Sequence, residues 1–443
     1  MKRKITNWGL YPIQESEVFD FSELNNLASI IKGNNELIAR GMGRCYGDAS
    51  LSPTTLSTLK YNKFLDFDIE KGIIECQAGV TLEEVLDVCV PKGWFLPVTP
   101  GTKYVTLGGA VASDVHGKND HKEGSFTNYV LGLSLMNHMG EIIQCGPEIN
   151  EDLFYATCGG MGLTGIILSV RFSLKKIETS FINQLLVKAS NLDEILDLFD
   201  KYKESTYSMA WIDCLKGGNG FGRSILYIGE HAREHELSTK QKKQKLQIPR
   251  KTPLLVPFYF PSFVLSSFFI RMTNSLIYHK NIKKTQWSII PYEGFFYPLD
   301  AIKHWNRIYG KKGFVQYQFV VPQENGRVAM REILMKIRKE GRGSFLAVLK
   351  AMGDPNGMIS FPMKGYTLAL DFPIRKGLFE FLEELDQVVL SYNGHIYLTK
   401  DARMSKEVLS KSYKSISQFR QYIKFSKNKF QSIQSNRLGI TKG

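Results

Sequence analysis

The sequence has few cysteines and no cysteine arrangement that would indicate a metal centre. None of the six forms a CxxC pair, and their spacing fits no metal-ligand pattern; they are Cys45, Cys76, Cys89, Cys145, Cys158 and Cys214. No apolar core of a signal peptide follows the charged start MKRKITNWGLYPIQ. We therefore expect no bound metal, reduced thiols and a cytoplasmic protein.

Acidic residues are also scarce relative to basic ones. The chain of 443 residues has 57 lysines and arginines against 43 aspartates and glutamates, a net charge of +14. This surplus favours an anionic partner, which is nucleic acid, an anionic membrane surface or a phosphorylated substrate. A soluble protein with a merely basic surface is the alternative. We expect no nucleic-acid partner, because the basic residues cluster beside an apolar segment and not beside stacking aromatic residues.

The sequence lacks an apolar run suited to a transmembrane helix. Residues 252–270 carry no charge, but prolines interrupt them at every fourth position: Pro253, Pro257 and Pro261. Lysine-rich sequence flanks this run, with KQKKQKLQIPRK before it and Lys280, Lys283 and Lys284 after it. The pattern favours an interfacial hairpin or flap that dips into an anionic membrane surface. A lid buried in a large domain is the alternative.

Two glycine-rich segments could bring the backbone close to a flat or charged ligand. Residues 40–48 read RGMGRCYGD, so their N–H groups could cradle a phosphate, with Arg40 or Arg44 adding positive charge. Residues 96–119 contain Gly108 and Gly109, then a run of small residues, and end near His116-Gly117-Lys118. Taken alone, each segment is also compatible with a plain turn.

A formal GxGxxG pattern occurs at Gly160, Gly162 and Gly165, but its surroundings exclude a Rossmann dinucleotide site. That site needs a strand before the glycines and a helix after them. Here residues 152–157 resemble a helix and residues 166–172 resemble a strand, so the order is reversed.

The sequence changes character near Thr179, where aromatic residues and lysines become more frequent. Alternating apolar residues then predict strands at residues 314–321, 345–350, 366–372 and 395–401. The last of these contains Lys400. A lysine on so apolar a strand is unusual unless it has a partner or points into a site.

Several motifs together resemble a known family. Similarity to the PCMH-type FAD-binding domain of the vanillyl-alcohol oxidase superfamily rests on ARGMGRCYGD, PVTPGTKYVTLGGAVASDVHGKN, GSF at residues 124–126 and LFYATCGGMGLTGII. Within this superfamily, the chain resembles the flavoprotein oxidase subunits of decaprenylphosphoryl-β-D-ribose 2-epimerase. This closer resemblance also rests on the downstream segments VQYQFVVP, SFLAVLK, LDFPI and IYLTKDAR. The resemblance covers nearly the whole chain.

The resemblance implies an α+β fold with two domains. Residues 1–178 would form a PCMH-type FAD-binding domain, to which residues 395–443 return. Residues 179–394 would form a substrate-binding domain with an antiparallel sheet and flanking helices. The basic and apolar insert at about residues 235–285 would be its membrane-facing part.

The resemblance also implies an activity. This is the FAD-dependent oxidation of a secondary hydroxyl on a polyprenyl-phosphate-linked sugar, giving the 2-keto intermediate of an epimerisation for cell-envelope glycans. A separate NAD(P)H-dependent reductase would complete the epimerisation, and the protein would be cytoplasmic or peripheral at the cytoplasmic membrane. Two alternatives stay open: a soluble alditol or aldonolactone oxidase of the same superfamily, and a non-catalytic, membrane-associated binding protein with a flavin fold.

Site residues follow from the resemblance, position by position. The cofactor would contact the glycine-rich segments and one tyrosine: Arg40, Gly41, Met42, Gly43, Arg44, Cys45, Tyr46, Gly47, Gly101, Thr102, Thr106, Gly108, Gly109, Ala110, Ser113, His116, Gly117, Gly160, Gly162, Gly165, Ile166 and Tyr397. The substrate would contact Tyr46, Lys118, Gln318, Lys350 and Thr367. Lys400 is the first candidate for the base that contacts the reacting hydroxyl, and His116 is its rival. Lys350 fits better as a ligand of the substrate phosphate.

The sequence departs from the family pattern in two places. Arg44 stands where some superfamily members have a histidine that binds FAD covalently, so we expect non-covalent FAD. Thr367 and Ala369 stand where the lipid-sugar oxidase has an asparagine and a cysteine. These two changes leave the identity of the sugar open, but not the type of reaction.

Overall fold

The structure is a computed structural model that describes residues 2–248, 252–280, 283–425 and 429–442. Positions 249–251 and 281–282, which belong to the predicted membrane-facing insert, lie outside the described residues.

The first part of the chain forms two sheets. The smaller sheet has the order β1-β2-β4-β3 and consists of β1 (Lys2–Ile5), β2 (Gln14–Asp20), β3 (Ile38–Arg40) and β4 (Thr54–Ser57). Helix α1 (Leu24–Gly33) connects β2 to β3. Strand β3 pairs in parallel with β4, and its last residue, Arg40, is the first residue of the first glycine-rich segment.

The second sheet is antiparallel and has the order β5-β6-β10-β8-β9. Its strands, together with the short pair β7 and β11, are β5 (Phe64–Asp68), β6 (Ile73–Gln77), β7 (Trp94–Phe95), β8 (Val130–Met136), β9 (Ile142–Cys145), β10 (Ile166–Ser173) and β11 (Lys175–Lys176). Four helices lie between them: α2 (Leu82–Cys89), α3 (Leu107–Ala112), α4 (Asp120–Glu123) and α5 (Glu151–Thr157). Thr81 followed three residues later by Glu84 is a sequence pattern that predicts a capping box, and the structure has this box at the start of α2.

The central part of the chain forms an eight-stranded antiparallel sheet with the order β16-β12-β14-β13-β19-β20-β18-β21. Its strands, with the short parallel pair β15 and β17, are β12 (Phe181–Ala189), β13 (Tyr207–Ile212), β14 (Ser224–His231), β15 (Leu254–Leu255), β16 (Thr285–Pro291), β17 (Ile302–Lys303), β18 (Phe314–Pro322), β19 (Ala347–Met352), β20 (Gly365–Pro373) and β21 (His395–Ile396).

Nine helices accompany this sheet and the C-terminal segment among the described residues. They are α6 (Leu192–Lys201), α7 (Thr239–Lys242), α8 (Ser267–Lys280), α9 (Tyr292–Phe296), α10 (Gln323–Lys339), α11 (Leu378–Ser391), α12 (Lys406–Ser412), α13 (Ile416–Phe425) and α14 (Ile433–Arg437). Helix α11 buries Leu378, Leu382, Leu385 and Val389 at helical spacing, so one apolar stripe packs it against the sheet. The mixed helices and antiparallel sheets confirm the predicted α+β class.

The C-terminal segment packs against the beginning of the chain. Leu37, just before β3, pairs with Phe430 through a parallel β-bridge. Arg437 forms ion pairs of 2.8 Å with Asp48 and with Asp401. These contacts lie beside the first glycine-rich segment. The predicted domain boundaries at residues 178 and 394 stay predictions.

The three prolines keep the apolar run from forming a continuous helix, as predicted. Helix α8 begins only at Ser267, after the last proline. Within the described ranges, no helix is both long and apolar enough to cross a bilayer. Large apolar side chains of the run are exposed to solvent: Leu254, Leu255, Phe258, Tyr259, Phe263, Phe268 and Phe269.

The predicted strand at residues 395–401 is too long. Strand β21 ends at Ile396, although β18 continues beyond its paired residues and the N–H of Tyr397 still donates to Gln318 O at 2.9 Å. The chain then turns, and the N–H of Lys400 donates to the carbonyl of Tyr397 at 3.0 Å. Lys400 therefore lies on a turn at the end of the sheet and not within a strand.

Candidate active site

The three glycine-rich segments meet at α3. A Cβ atom on Gly41 would lie 2.1 Å from the hydroxyl oxygen of Thr106, the residue that caps α3, so these two segments are in close contact. The N–H groups of Gly159 and Met161 donate to the carbonyls of Val111 and Ala112, at 3.0 and 2.8 Å. Segments separated by more than forty residues in sequence thus surround one short helix.

The segment after β3 has the features of an anion cradle. Within the described part of the chain, five consecutive backbone N–H groups, from Gly41 to Cys45, donate to no protein acceptor. Gly43 has a φ angle of 62°, and a Cβ atom on Gly47 would lie 1.9 Å from the carbonyl oxygen of Asp401. Consecutive free N–H groups in a loop that contains Gly41 and Gly43 suit an anionic group such as the pyrophosphate of FAD.

The two arginines of this segment have different surroundings. The Arg40 guanidinium donates to Thr6 O at 2.8 Å and to Ser50 Oγ at 3.3 Å, and it also bonds Asn7 Oδ1. Arg40 therefore fixes the loop to the N-terminal residues. The Arg44 guanidinium lies 4.0 Å from the ring centroid of Trp8. It is held against an aromatic face and bonded to no carboxylate among the described residues.

The other residues predicted to contact the cofactor surround the same helix. The Tyr397 hydroxyl donates to Ser113 O at 2.9 Å, and the Tyr397 ring stacks on Phe361 at 4.4 Å between centroids. Four predicted glycines pack so closely that added side chains would meet atoms 2.0 to 3.1 Å away: Gly108, Gly109, Gly160 and Gly165. Gly101, by contrast, has open space around it.

A chain of hydrogen bonds joins His116 to three strands of the large sheet. His116 follows α3 and lies between Gln318 of β18 and Lys350 of β19. Its Nε2 is 3.1 Å from the Gln318 side-chain nitrogen, and its Nδ1 is 3.3 Å from Lys350 Nζ. The same Gln318 nitrogen is 3.2 Å from Thr367 Oγ1 on β20. Four of the predicted site residues therefore form one continuous chain of contacts, in the order Lys350, His116, Gln318 and Thr367.

Lys400 and Tyr46 form the other side of this group. Lys400 Nζ lies 4.1 Å from the centroid of the Tyr46 ring, which packs edge-on against Phe314. Burial lowers the pKa of Lys400 to about 8; the carboxylate of Asp371 opposes that shift, and the ammonium of Lys350 adds to it. A lysine with this pKa is neutral in an appreciable fraction of molecules at neutral pH.

Lys118 and Lys350 are also perturbed by burial. It lowers the pKa of Lys118 to about 7 and that of Lys350 to about 8. The Lys118 ammonium donates to the carbonyls of Phe295 and Phe296 at 2.6 and 3.3 Å. Burial and the nearby ammonium groups of Lys350 and Lys400 hold the pKa of His116 well below its usual value. The site therefore combines one neutral imidazole with three lysines that lose protons readily.

The sequence analysis missed two buried carboxylates. Asp371 accepts hydrogen bonds from the Tyr309 hydroxyl at 3.0 Å and from Gln316 Nε2 at 2.6 Å, and burial raises its pKa to about 6. Asp120 accepts from the Gly353 N–H at 2.9 Å, and burial raises its pKa to about 7. Its second oxygen has no partner within the described part of the chain.

A signal for Asp371 was present in the sequence. Thr367, Ala369 and Asp371 are two residues apart, so they share one face of β20. They stand opposite Val320, Gln318 and Gln316 of β18 in the antiparallel register. The sequence held no comparable signal for Phe361, which stacks on Tyr397 from an irregular segment, since no periodic pattern surrounds it.

Comparison with known proteins agrees with this geometry. A family model described as an FAD binding domain matches residues 21–146. Over 430 residues, the chain is 34% identical to the decaprenylphosphoryl-β-D-ribose oxidase of Mycolicibacterium smegmatis, covering 94% of this chain and 93% of that protein. The chain belongs to the decaprenylphosphoryl-β-D-ribose oxidase family. It is an FAD-dependent oxidoreductase that acts on CH–OH groups, which confirms the predicted family, cofactor and class of enzyme.

Other relatives of this oxidase family are more distant or match over a shorter length. An uncharacterised protein from the mprA 5′ region of Streptomyces coelicolor is 30% identical over 353 residues, which are 77% of this chain and 94% of that one. The L-gulonolactone oxidase of Mus musculus is 31% identical over 153 residues, which are 33% of each chain. The shorter match is consistent with a shared flavin-binding part.

Proposed function

We propose that this enzyme uses FAD to oxidise a secondary hydroxyl of a polyprenyl-phosphate-linked sugar to the 2-keto compound. The observation that carries the proposal is the group of Lys118, Lys350 and Lys400 around His116. Burial disfavours the ammonium forms of these lysines, so the site suits a substrate that brings its own negative charge, such as a phosphodiester, because the anion would stabilise the ammonium form of the lysine nearest to it. A neutral alditol or lactone gives no reason for them.

Oxidation of an alcohol requires a group that takes the hydroxyl proton. When bound, FAD supplies the two-electron chemistry at the sugar carbon. We assign the hydroxyl proton to Lys400, because its pKa of about 8 makes it a base near neutral pH and the Tyr46 ring holds its nitrogen in place. His116 is the weaker candidate, since burial, together with the nearby lysines, holds its pKa well below the usual value and disfavours its protonation.

The test is reduction of the flavin in the absence of oxygen. Purified enzyme is mixed with polyprenyl-phosphoryl pentoses, and bleaching of the flavin absorbance is followed by stopped flow. We expect bleaching by the lipid-linked pentose and none by free alditols or L-gulonolactone. Bleaching by the free compounds alone would favour the soluble oxidase. A colourless protein that takes up no added FAD would favour the non-catalytic binding protein.

The exposed apolar residues of the insert support a position at an anionic membrane surface, where a polyprenyl phosphate would reside. The side chains of Leu254, Phe263 and Phe268 are 74%, 60% and 71% exposed. Lysines flank the run in sequence on both sides, so apolar contact with lipid would be joined by attraction to anionic headgroups. A separate NAD(P)H-dependent reductase would then complete the epimerisation at the same surface.

Flotation with liposomes tests the membrane surface. We compare the wild type with a variant carrying Leu254→Ser, Phe263→Ser and Phe268→Ser on vesicles with and without anionic lipid. The matched control carries Ile13→Ser and Ile149→Ser, which are 65% and 61% exposed but lie outside the insert. We expect only the insert variant to lose binding. Equal flotation of all three proteins would reject a membrane role for this segment.

A further inference from the structure

The hydroxyl of Thr367 fixes the direction of a hydrogen-bond chain in the site. Thr367 Oγ1 lies 2.7 Å from the backbone carbonyl oxygen of Phe319, which accepts hydrogen bonds and donates none. The single hydroxyl proton of Thr367 therefore points to Phe319. Towards any other neighbour, Thr367 Oγ1 acts as an acceptor.

This direction determines the orientation of the Gln318 amide. An amide oxygen at 3.2 Å from Thr367 Oγ1 would place two acceptors together without a proton between them, so the amide nitrogen faces Thr367. The same nitrogen is 3.1 Å from His116 Nε2 and donates its second proton there. His116 Nε2 is therefore an acceptor and carries no proton.

The neutral imidazole must then carry its proton on Nδ1. That atom lies 3.3 Å from Lys350 Nζ. An ammonium group has donors only and would meet the N–H of the ring, whereas a neutral amine accepts the proton in a hydrogen bond. Lys350 Nζ also lies 3.3 Å from Gly117 O, to which a neutral amine can still donate.

We propose that Thr367, acting through Gln318 and His116, favours the neutral amine of Lys350 over its ammonium form, which makes Lys350 a second proton-accepting group beside Lys400. Thr367 is a positioning residue in this scheme. The proposal rests on the proposed function only for the use of the proton: the single hydroxyl proton of the sugar would pass to Lys400 and from there to the neutral nitrogen of Lys350, while the hydride would pass from the sugar carbon to the bound FAD.

The titratable groups that face Lys350 come from three other segments. His116 and Lys118 follow α3, Asp120 lies in α4, and Lys400 lies on the turn after β21. Burial disfavours the ammonium form of Lys350 and lowers the pKa of Lys350 to about 8. The carboxylate of Asp120 opposes this shift. Protonation of Lys350 would require the ring proton to move to Nε2 and Gln318 to turn over, which breaks its bond to Thr367.

The first test measures the protonation of Lys350 without substrate. The holoenzyme is treated with cyanate, which carbamylates a neutral amine but not an ammonium group. The modification of Lys350 is quantified by peptide mass spectrometry at pH values from about 6 to about 10. Thr367→Val removes the hydroxyl and keeps the shape, while Thr367→Ser restores the hydroxyl. FAD content and Tm report whether each variant is folded.

We expect Thr367→Val to slow the carbamylation of Lys350 at pH 7 by about five- to tenfold, because Gln318 can then turn over and let Lys350 take a proton. Thr367→Ser should keep the wild-type titration midpoint. A midpoint that Thr367→Val leaves unchanged or moves to lower pH would overturn the proposal, as would equal effects of both substitutions.

A second test uses the wild-type protein and does not depend on any variant folding well. Long-range ¹H–¹⁵N spectra of histidine-labelled enzyme distinguish the two ring tautomers, with His116 assigned by its loss in His116→Gln. We expect the Nδ1–H tautomer, and the Nε2–H tautomer would refute the scheme. Neither measurement uses the sugar substrate. Failure of the proposed function is therefore distinguishable from failure of this inference.

Discussion

Replacement of Asp371 by asparagine tests whether Lys400 is the base. The substitution removes one negative charge while keeping the shape of the side chain. Asparagine can accept the hydrogen bond from Gln316 through its oxygen and donate to the Tyr309 hydroxyl through its nitrogen, so both partners of Asp371 stay bonded. The change should therefore act through charge and not through unfolding.

The sign and size of the effect follow from the surroundings of Lys400. Asp371 raises the pKa of Lys400, so its loss lowers that pKa from about 8. An opposite charge at close range moves a pKa by about 1 to 3. We take the lower end, ~1, because the hydrogen bonds from Tyr309 and Gln316 disperse the charge of the carboxylate. The neutral fraction of Lys400 at pH 7 then rises from about a tenth to about a half.

The assay is the rate of flavin reduction by the lipid-linked pentose as a function of pH. In the wild type the rate should rise with pH through a midpoint near pH 8. In Asp371→Asn the midpoint should move down by about one pH unit, and the rate at pH 7 should increase about fivefold. The difference should vanish well below pH 6, where Asp371 is itself protonated. An unchanged or higher midpoint would refute Lys400 as the base.

Three further predictions concern the cofactor and the fold. Because Arg44 replaces the histidine that can bind FAD covalently, acid denaturation followed by filtration should release all the flavin into the filtrate. Gly47→Ala should lower the FAD content and destabilise the protein by ~1–3 kcal/mol, since its Cβ would lie 1.9 Å from Asp401 O; flavin absorbance and thermal unfolding measure both effects. Arg437→Ala should lower the free energy of unfolding by ~3–5 kcal/mol, because it leaves two buried carboxylates without their cation, whereas Lys442→Ala at an exposed ion pair should cost under ~1 kcal/mol.

Local sequence patterns predicted those features that depend on neighbours in the chain. The Thr81 capping box is formed within four residues, and the three prolines at 253, 257 and 261 interrupt the apolar run through their own ring geometry. The pattern failed at residues 397–401, where alternation predicted more strand. There the backbone N–H groups of Lys400 and Asp401 donate to the carbonyl of Tyr397, so a turn replaces the pairing with β18 that alternation predicted.

The sequence by itself determined the α+β class, the FAD family and the set of lysines from which the site is built. Each of these can be recognised from motifs and residue types along the chain. The tertiary structure decided how readily each of those lysines loses its proton. Lys350 meets His116 from a strand more than two hundred residues away, and Asp371 faces Lys400 across the end of the sheet. Protonation depends on burial and on charges that surround a group in space, and spacing along the chain carries neither.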